Sequence, residues 1–410
     1  MTIRRVFISD THMSVGLSLN DPRSQYDWFD ADDSMKLAGF FDFLKNACDN
    51  PDTKIDELIL LGDIFDAWVY PNSMSPPSFD PPSCNTILAS KQNVISSLQS
   101  LIAKMGNKNV HYIRGNHDIT ITQTFLDANL GGIGLLDFYD SQDGIYAEHG
   151  HRFLIFNAPD PGPVPDFPGV PLPVGHYIAR MGATIAEKEP TFHQGECLWS
   201  AIKEFLENTL GGDDNLIDIA FDTVINYAVN VHAIGDSRNF SFKAQTGRIP
   251  IPIRTIREMY EGLPQRWKRH CVNCADADIM DYVKNPSDSA FAEIRSDLSD
   301  IAKNIMIMRP QYKVVIFGHT HVPDLRYKHN SPGPWGAGPP SPVVQDIGVY
   351  ANCGAWCDHN GVRVNPPQPY SYVLTETGED GNHSVSLNYW DYGTETNQGP
   401  FKITSGRNET

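Results

Sequence analysis

Short apolar runs of strand length recur in this sequence, and each is followed at once by residues that can bind a metal ion. The runs are 4–9, 57–61, 109–113, 144–147 and 312–317, all rich in Val, Ile, Leu, Phe and Tyr. The motifs after them are, in the same order, Asp10-Thr11-His12, Gly62-Asp63, Gly115-Asn116-His117-Asp118, His149-Gly150-His151 and Gly318-His319-Thr320-His321. Because layered α/β proteins bind ligands at the carboxyl ends of their strands, we expect these motifs to meet at one edge.

Helical periodicity between these runs indicates that helices alternate with strands. Apolar residues repeat at helical spacing in 34–47 and again in 86–105. Strand character returns near the C-terminus, in 343–351, 370–375 and 385–389. The pattern is typical of α/β layering.

The middle of the chain differs from the segments on either side. From 157 to 311 it begins with a proline-dense loop and continues as helical patterns without a convincing strand. The clearest pattern is the apolar stripe Phe291, Ile294, Leu298, Ile301 and Ile305. We interpret this block as a large, mainly helical insertion or cap on a catalytic domain formed by 1–156 and 312–392. The polar run 393–410 is predicted to be a loosely held tail.

Composition limits the function classes. The chain has 410 residues, with 50 acidic and 32 basic side chains and a formal net charge of −18. No basic run is present, which argues against binding of duplex nucleic acid. No apolar run reaches the roughly 18 residues of a membrane span, and the first ten residues lack the apolar core of a secretory signal. We therefore expect a cytoplasmic protein without a transmembrane segment.

The seven cysteines are sparse and odd in number, so reduced thiols are expected rather than a disulfide framework. Cys271 and Cys274 could form a four-thiolate zinc site with Cys353 and Cys357 only if the two pairs met in space. Their unlike spacing favours ordinary thiols.

Each ligand motif is weak by itself, because short Asp-x-His and Gly-Asp sequences are common in polar turns. Together and in order, the five blocks resemble the calcineurin-like metallophosphoesterase superfamily, whose pattern is D-x-H, G-D, G-N-H-[D/E], a His-Gly motif and G-H-x-H. Within it, 62–68 (GDIFDAW) and 352–356 (NCGAW) are similar to motifs of the UDP-2,3-diacylglucosamine diphosphatase-like branch. The resemblance implies a layered β-sandwich flanked by helices, interrupted here by the insertion.

The resemblance also implies a site for two divalent transition-metal ions, with Mn foremost and Fe, Zn or Ni as alternatives. The first ion would be held by Asp10, His12 and His321, the second by Asn116, His149 and His319, and both by a bridging Asp63. Two ions about 3.5–4 Å apart can share the hydroxide that attacks phosphorus. His117 would assist the leaving group.

Several roles stay open. Either His149 or His151 could be the ligand, and the order of the family motif favours His149, which leaves His151 for the second shell or the substrate. The diphosphatase branch commonly has aspartate where His151 stands, which weakens the transfer of its substrate. Asp66 and Asp118 would orient neighbouring histidines, or else cap the segments that follow them.

The expected activity is hydrolysis of a phosphodiester or diphosphate bond in a small substrate, including nucleotide- or lipid-linked ones. Arg114 and Arg152 could clamp a phosphate, although Arg114 ends a strand and could instead pair with a surface carboxylate. The alternatives are a phosphomonoesterase or a nuclease with the same metal site, or a scaffold that retained the fold without catalysis. The sequence does not predict the oligomeric state.

Overall fold

The computed structural model describes residues 2–14, 29, 31–66, 82–154, 157–158, 173, 241–243, 250–252, 298–329, 346–357, 370–391 and 394–403. Its helices are α1 (Ala31–Ala47), α2 (Pro82–Ser90), α3 (Gln92–Met105), α4 (Gln123–Asn129) and α5 (Ser299–Met308). The strands of the first half are β1 (Ile3–Ile8), β2 (Glu57–Leu61), β3 (Val110–Ile113), β4 (Gly134–Leu136), β5 (Tyr139–Asp140), β6 (Ile145–Ala147), β7 (Ser241–Lys243) and β8 (Pro250–Pro252). The later strands are β9 (Val314–Phe317), β10 (Asp324–His329), β11 (Asp346–Asn352), β12 (Tyr370–Thr377), β13 (His383–Asp391) and β14 (Thr394–Ile403).

The described strands form two large sheets. One has the order β14-β13-β12-β1-β2-β3-β4, and the other the order β10-β11-β9-β6-β5. In the first sheet β1, β2, β3 and β4 run parallel, while β12, β13 and β14 are antiparallel. In the second, β6, β9 and β11 are parallel. Both parallel blocks therefore present carboxyl ends from which loops can build a site.

Alternation along the strands sorts the apolar side chains into three cores. Val6, Leu58 and Val110 face the helices α1 to α4, whereas Phe7 and Ile59 face the second sheet. The outer face of the second sheet packs against α5. The result is a helix–sheet–sheet–helix arrangement, which confirms the predicted α/β sandwich flanked by helices.

Element positions agree with the sequence patterns at the strands that carry the motifs. The predicted strand at 57–61 has the same limits in the structure, and the others differ at their ends by one or two residues. The predicted helix at 86–105 is instead two helices, α2 and α3. They are separated at Lys91, whose backbone departs from helical geometry. The buried ammonium group of Lys91 donates a hydrogen bond to the carbonyl oxygen of Phe29.

Three segments differ from the predicted domain limits. Helix α5, expected in the insertion, packs against β9 and β11 through Ala302, Ile305 and Met306. The polar run predicted to be a loose tail contains β14, which pairs antiparallel with β13. Strands β7 and β8 form a small antiparallel pair where only helices were expected. Most of the rest of the predicted insertion lies outside the described residues.

Candidate metal centre

Strained backbone marks the residues at the strand ends. Within the described residues, the non-glycine positions with positive φ are Asp10 (53°), His12 (47°), Asp63 (52°), His319 (71°) and His321 (59°). Such a conformation costs a residue with a Cβ about 1–3 kcal/mol and persists only where the surroundings impose it. All five residues belong to the predicted ligand set, so the strain coincides with the predicted site.

Two glycines allow these loops to approach one another. Gly62 has φ +87°, and a Cβ there would lie 2.6 Å from Nδ1 of His149. A Cβ on Gly115 would collide with the carboxylate of Asp63. The glycines of the second and third motifs are therefore required by close packing against ligand side chains.

The first group of side chains lies after β1 and β9. Nε2 of His12 lies 3.0 Å from Nε2 of His321, which in turn lies 3.1 Å from Oδ1 of Asp10. Two imidazole nitrogens bound at about 2.1 Å and roughly a right angle to one ion would be about 3.0 Å apart. The other oxygen of Asp10 accepts a 2.8 Å hydrogen bond from the backbone N–H of His319. This links the loop after β1 to the loop after β9.

The second group lies after β2, β3, β6 and β9. Potential ligand atoms of Asp63, His149 and His319 lie within 4.8 Å of one another. Nε2 of His149 is 3.1 Å from Oδ2 of Asp63 and 3.2 Å from Oδ1 of Asn116. Nδ1 of His149 lies 2.9 Å from the carbonyl oxygen of Leu61, which fixes Nε2 toward the other ligands.

Asp63 belongs to both groups. Its Oδ2 lies 3.1 Å from His149 and 3.7 Å from His12, and it also forms a group with His12 and His117. Its Oδ1 accepts a 2.7 Å hydrogen bond from the backbone N–H of His117. One carboxylate thus contacts residues of both candidate subsites.

His117 is held beside the ligands by Asp66. Nδ1 of His117 lies 3.0 Å from Oδ1 of Asp66, and Nδ1 of His12 lies 3.5 Å from Oδ2 of the same carboxylate. The rings of His117 and His12 meet edge to face at 4.5 Å. The structure therefore places Asp66 between two imidazoles, as expected of an orienting carboxylate.

Buried charges of opposite sign shift the pKa values in this cluster. Burial would raise the pKa of Asp10 and Asp63, but His149 and further histidines hold both values below the usual range. Burial would lower the pKa of His12, but Asp10, Asp66 and Asp63 raise it to about 10. In the same way Asp63 and Asp10 raise the pKa of His149 to about 9. Burial dominates at His319 and lowers its pKa.

The donor set fits divalent transition-metal ions. Imidazole nitrogen and carboxylate and amide oxygen converge from five loops, a combination that suits Mn, Fe, Zn or Ni. Nε2 of His319 is buried and has no hydrogen-bond partner within the described residues. A buried polar atom without a partner is costly, and a metal ion at this position would satisfy it.

A family model described as calcineurin-like phosphoesterase matches residues 3–209, half of the chain. The chain belongs to the calcineurin-like phosphoesterase family. Membership implies a hydrolase that acts on phosphoesters with divalent metal ions, and the clusters above supply candidate ligands. A comparison with curated protein sequences gave no match.

Among solved structures, one match is "GAP50 the anchor in the inner membrane complex of Plasmodium". It is 9% identical, with a TM-score of 0.30 over 98% of this chain and 90% of that chain. That score is too low to support a structural comparison. In the described part of the phosphoesterase, no helix is both long and apolar enough to cross a bilayer.

His149 and His151, the two alternative ligands left open by the sequence, have different surroundings in the structure. His149 is grouped with Asp63 and His319, whereas no such ligand group of the described residues includes His151. The ring of His151 lies 5.5 Å from that of His149, and its Nδ1 is buried without a hydrogen-bond partner in the described structure. Burial lowers the pKa of His151 to about 3. The geometry favours His149 as the ligand.

Both candidate substrate arginines have protein partners. Arg114 donates to the carbonyl oxygen of Ile121 at 2.9 Å and pairs with the exposed Asp137 at 3.2 Å. Arg152 pairs with Glu148 and donates to the hydroxyl of Tyr146 at 2.8 Å. These contacts match the surface-carboxylate alternative for Arg114 and tie Arg152 to the end of β6.

Asp118 differs from the expectation that it orients a histidine. Its Oδ2 accepts hydrogen bonds from the backbone N–H of Ile64 and from the hydroxyl of Tyr112, and its Oδ1 accepts one from the N–H of Gly115. The carboxylate therefore braces the loops after β2 and β3. Of the two acids, Asp66 is the one that contacts the imidazoles of His117 and His12.

Two residues that fix the site were not assigned a positioning role from sequence. The backbone N–H of Trp356 donates to the carbonyl oxygen of Asp10 at 2.9 Å. The side-chain amide of Asn352 donates to the carbonyl oxygen of Gly318 at 2.7 Å. Both residues belong to the NCGAW motif, so the resemblance pointed to this segment but did not predict that it anchors the metal-ligand loops.

Only one of the two cysteine pairs, Cys353 and Cys357, lies in the described residues. Cys353 lies in the core between the sheets, and Cys357 lies in the core under the helices. The described ligand groups include Cys357, with His12 and His321, but not Cys353. Cys271 and Cys274 lie outside the described residues.

Proposed function

We propose that this family member hydrolyses a phosphodiester or diphosphate bond with two divalent metal ions. The observation that carries this proposal is the position of Asp63, which contacts His149 on one side and His12 on the other. A carboxylate shared by two histidine clusters is suited to bridging two cations, whereas a single-ion site would not need the second cluster.

The residues divide into two subsites. In this proposal Asp10, His12 and His321 hold one ion, and Asn116, His149 and His319 hold the other. The backbone N–H of His319, in one subsite, donates a hydrogen bond to Asp10, in the other, which supports two adjacent ion positions. The strained φ values of both residues fit loops that are held in fixed positions. Mn is the first metal to test, with Fe, Zn and Ni as alternatives.

When bound, the ions would offset the charge of the phosphoryl oxygens and lower the pKa of the attacking water. His117 supplies the other half of the chemistry. With Nδ1 held by Asp66, its Nε2 would donate a proton to the leaving oxygen as the P–O bond breaks. No covalent link to the protein is needed.

The class of substrate is a small phosphoester. The motifs Gly62 to Trp68 and Asn352 to Trp356 favour a nucleotide diphosphate linked to a lipid, by resemblance to the UDP-2,3-diacylglucosamine diphosphatase-like branch. His151 is half-buried beside His149, and because its pKa is lowered to about 3 it would stay neutral and could hydrogen-bond a phosphoryl oxygen. The net charge of −18 argues against a long polyanion.

The discriminating experiment compares substrates on Mn-loaded protein. We expect faster turnover of bis-(p-nitrophenyl) phosphate, or of a nucleoside diphosphate conjugate, than of p-nitrophenyl phosphate. The reverse order would instead support a phosphomonoesterase. Retained cleavage of a single-stranded oligonucleotide at moderate salt would support a nuclease.

A further inference from the structure

We propose that the thiol of Cys357 is a ligand of the metal subsite formed by His12 and His321, so that this subsite favours thiophilic ions. The inference rests on the proposed function, because it needs an ion between these histidines. It extends that function by making the two subsites chemically unlike. The second subsite offers nitrogen and oxygen donors, whereas the first would add sulfur.

The geometry of three side chains carries the proposal. The sulfur of Cys357 and one ring nitrogen each of His12 and His321 lie within 4.8 Å of one another. Cys357 is 7% exposed and His12 is fully buried. An ion about 2.0–2.1 Å from the two nitrogens and about 2.3 Å from sulfur would fit a cluster of this size after a small adjustment.

The loop that carries Cys357 is tied to both ligand loops. The backbone N–H of its neighbour Trp356 donates to the carbonyl oxygen of Asp10, two residues before His12. The backbone N–H of Cys353 donates to the carbonyl oxygen of Phe317, at the end of β9 and four residues before His321. Backbone hydrogen bonds therefore attach the segment that carries the thiol to the loops of both imidazoles.

Sulfur changes which ions the subsite prefers. Thiolate is a soft ligand that selects Zn, Co or Cd over Mn, whereas carboxylate and water suit Mn. Binding forms a metal–sulfur bond and releases the thiol proton to solvent, so charge and atoms balance without an oxidant. We expect a mixed pair of ions to load in order, with the softer ion in the His12–His321–Cys357 subsite.

Cobalt provides a test that does not depend on turnover. Metal-free protein titrated with Co²⁺ should develop visible d–d bands from any bound cobalt and a near-ultraviolet charge-transfer band from a thiolate ligand. The Cys357→Ser protein should keep the d–d bands and lose the charge-transfer band. Its affinity for Cd²⁺ at this subsite should fall about tenfold or more, while its affinity for Mn²⁺ changes little.

The matched control is Cys84→Ser, because Cys84 is buried in the same core as Cys357 but belongs to no ligand group of the described residues. It should retain both sets of bands. Cys357→Ala removes the sulfur without placing a hydroxyl in an apolar core, and should give the same spectrum as the serine variant.

The possible outcomes distinguish the failure of the Cys357 ligand from the failure of the metal site itself. Cobalt d–d bands without a charge-transfer band that depends on Cys357 would overturn the thiol ligand and leave the metal site standing. Absence of any cobalt binding by the wild-type protein would overturn both.

Discussion

Oδ1 of Asp66 lies 3.0 Å from Nδ1 of His117. The same carboxylate reaches Nδ1 of His12 at 3.5 Å, so one buried acid orients both the proposed proton donor and a proposed ligand. Both histidines hold the pKa of Asp66 below its usual range against the effect of burial, with His117 the larger contributor. The proton donor is thereby tied to the metal subsite.

Replacing His117 tests its role as the proton donor. We expect His117→Ala to reduce kcat on bis-(p-nitrophenyl) phosphate by about a hundred- to ten-thousandfold, since general acid catalysis contributes that much. The metal content should not change. His111→Ala is the control, because His111 lies on β3, the strand before the His117 loop, and pairs with Glu57 away from the centre. Equal turnover in the two variants would show that His117 is misassigned.

The shared position of Asp63 predicts a difference in metal stoichiometry. Asp63→Asn should weaken binding at both subsites, because the variant removes a charge that contacts His149 and His12. Asn116→Ala should weaken only the subsite of His149. Metal analysis after dialysis should show near-complete loss in the first variant and retention of about one ion in the second. Retention of both ions by Asp63→Asn would contradict the bridging role.

Gly115 gives a test of close packing. A Cβ at this position would meet the carboxylate and backbone nitrogen of Asp63, so Gly115→Ala should displace the bridging ligand. We expect turnover to fall about a hundredfold or more. Gly134→Ala is the control, because its Cβ would make only an ordinary 3.6 Å contact with His111. If both variants retain wild-type turnover, the loop after β3 does not set the position of Asp63.

Metal binding should release protons near neutral pH. In the metal-free protein the pKa values of His12 and His149 are raised to about 10 and about 9, so both rings carry a proton at about pH 7. Metal ligation needs neutral imidazole, and each displaced proton makes apparent affinity rise about tenfold per pH unit below these values. Calorimetry in buffers of different ionisation enthalpy measures the release. An affinity independent of pH between about 6 and 8 would contradict the charge state assigned here.

Local patterns were sufficient to predict the strands and the convergence of their motifs. An apolar run followed by Asp10 or His319 contains both signals within a few residues, and parallel strands bring their carboxyl ends together. The function of the loop that ends in Cys357 was not predictable in this way. One of its anchors joins Trp356 to Asp10, more than three hundred positions away, and leaves no local pattern.

The positions of α5 and β14 have a physical reason as well. The stripe that includes Leu298 and Ile305 correctly predicts a helix with a buried face, but periodicity does not say which surface covers that face. In the structure it is the second sheet, not a cap. Strand β14 lies at a sheet edge, where polar sequence is compatible with strand pairing, so its composition resembled a tail.

The most direct test of the two-metal account is a metal titration of activity. Chelated protein should not hydrolyse bis-(p-nitrophenyl) phosphate, and added Mn²⁺ should restore turnover until about two ions per chain are bound. Full turnover in chelated protein, or no phosphoester hydrolysis by any reconstituted sample, would contradict the account.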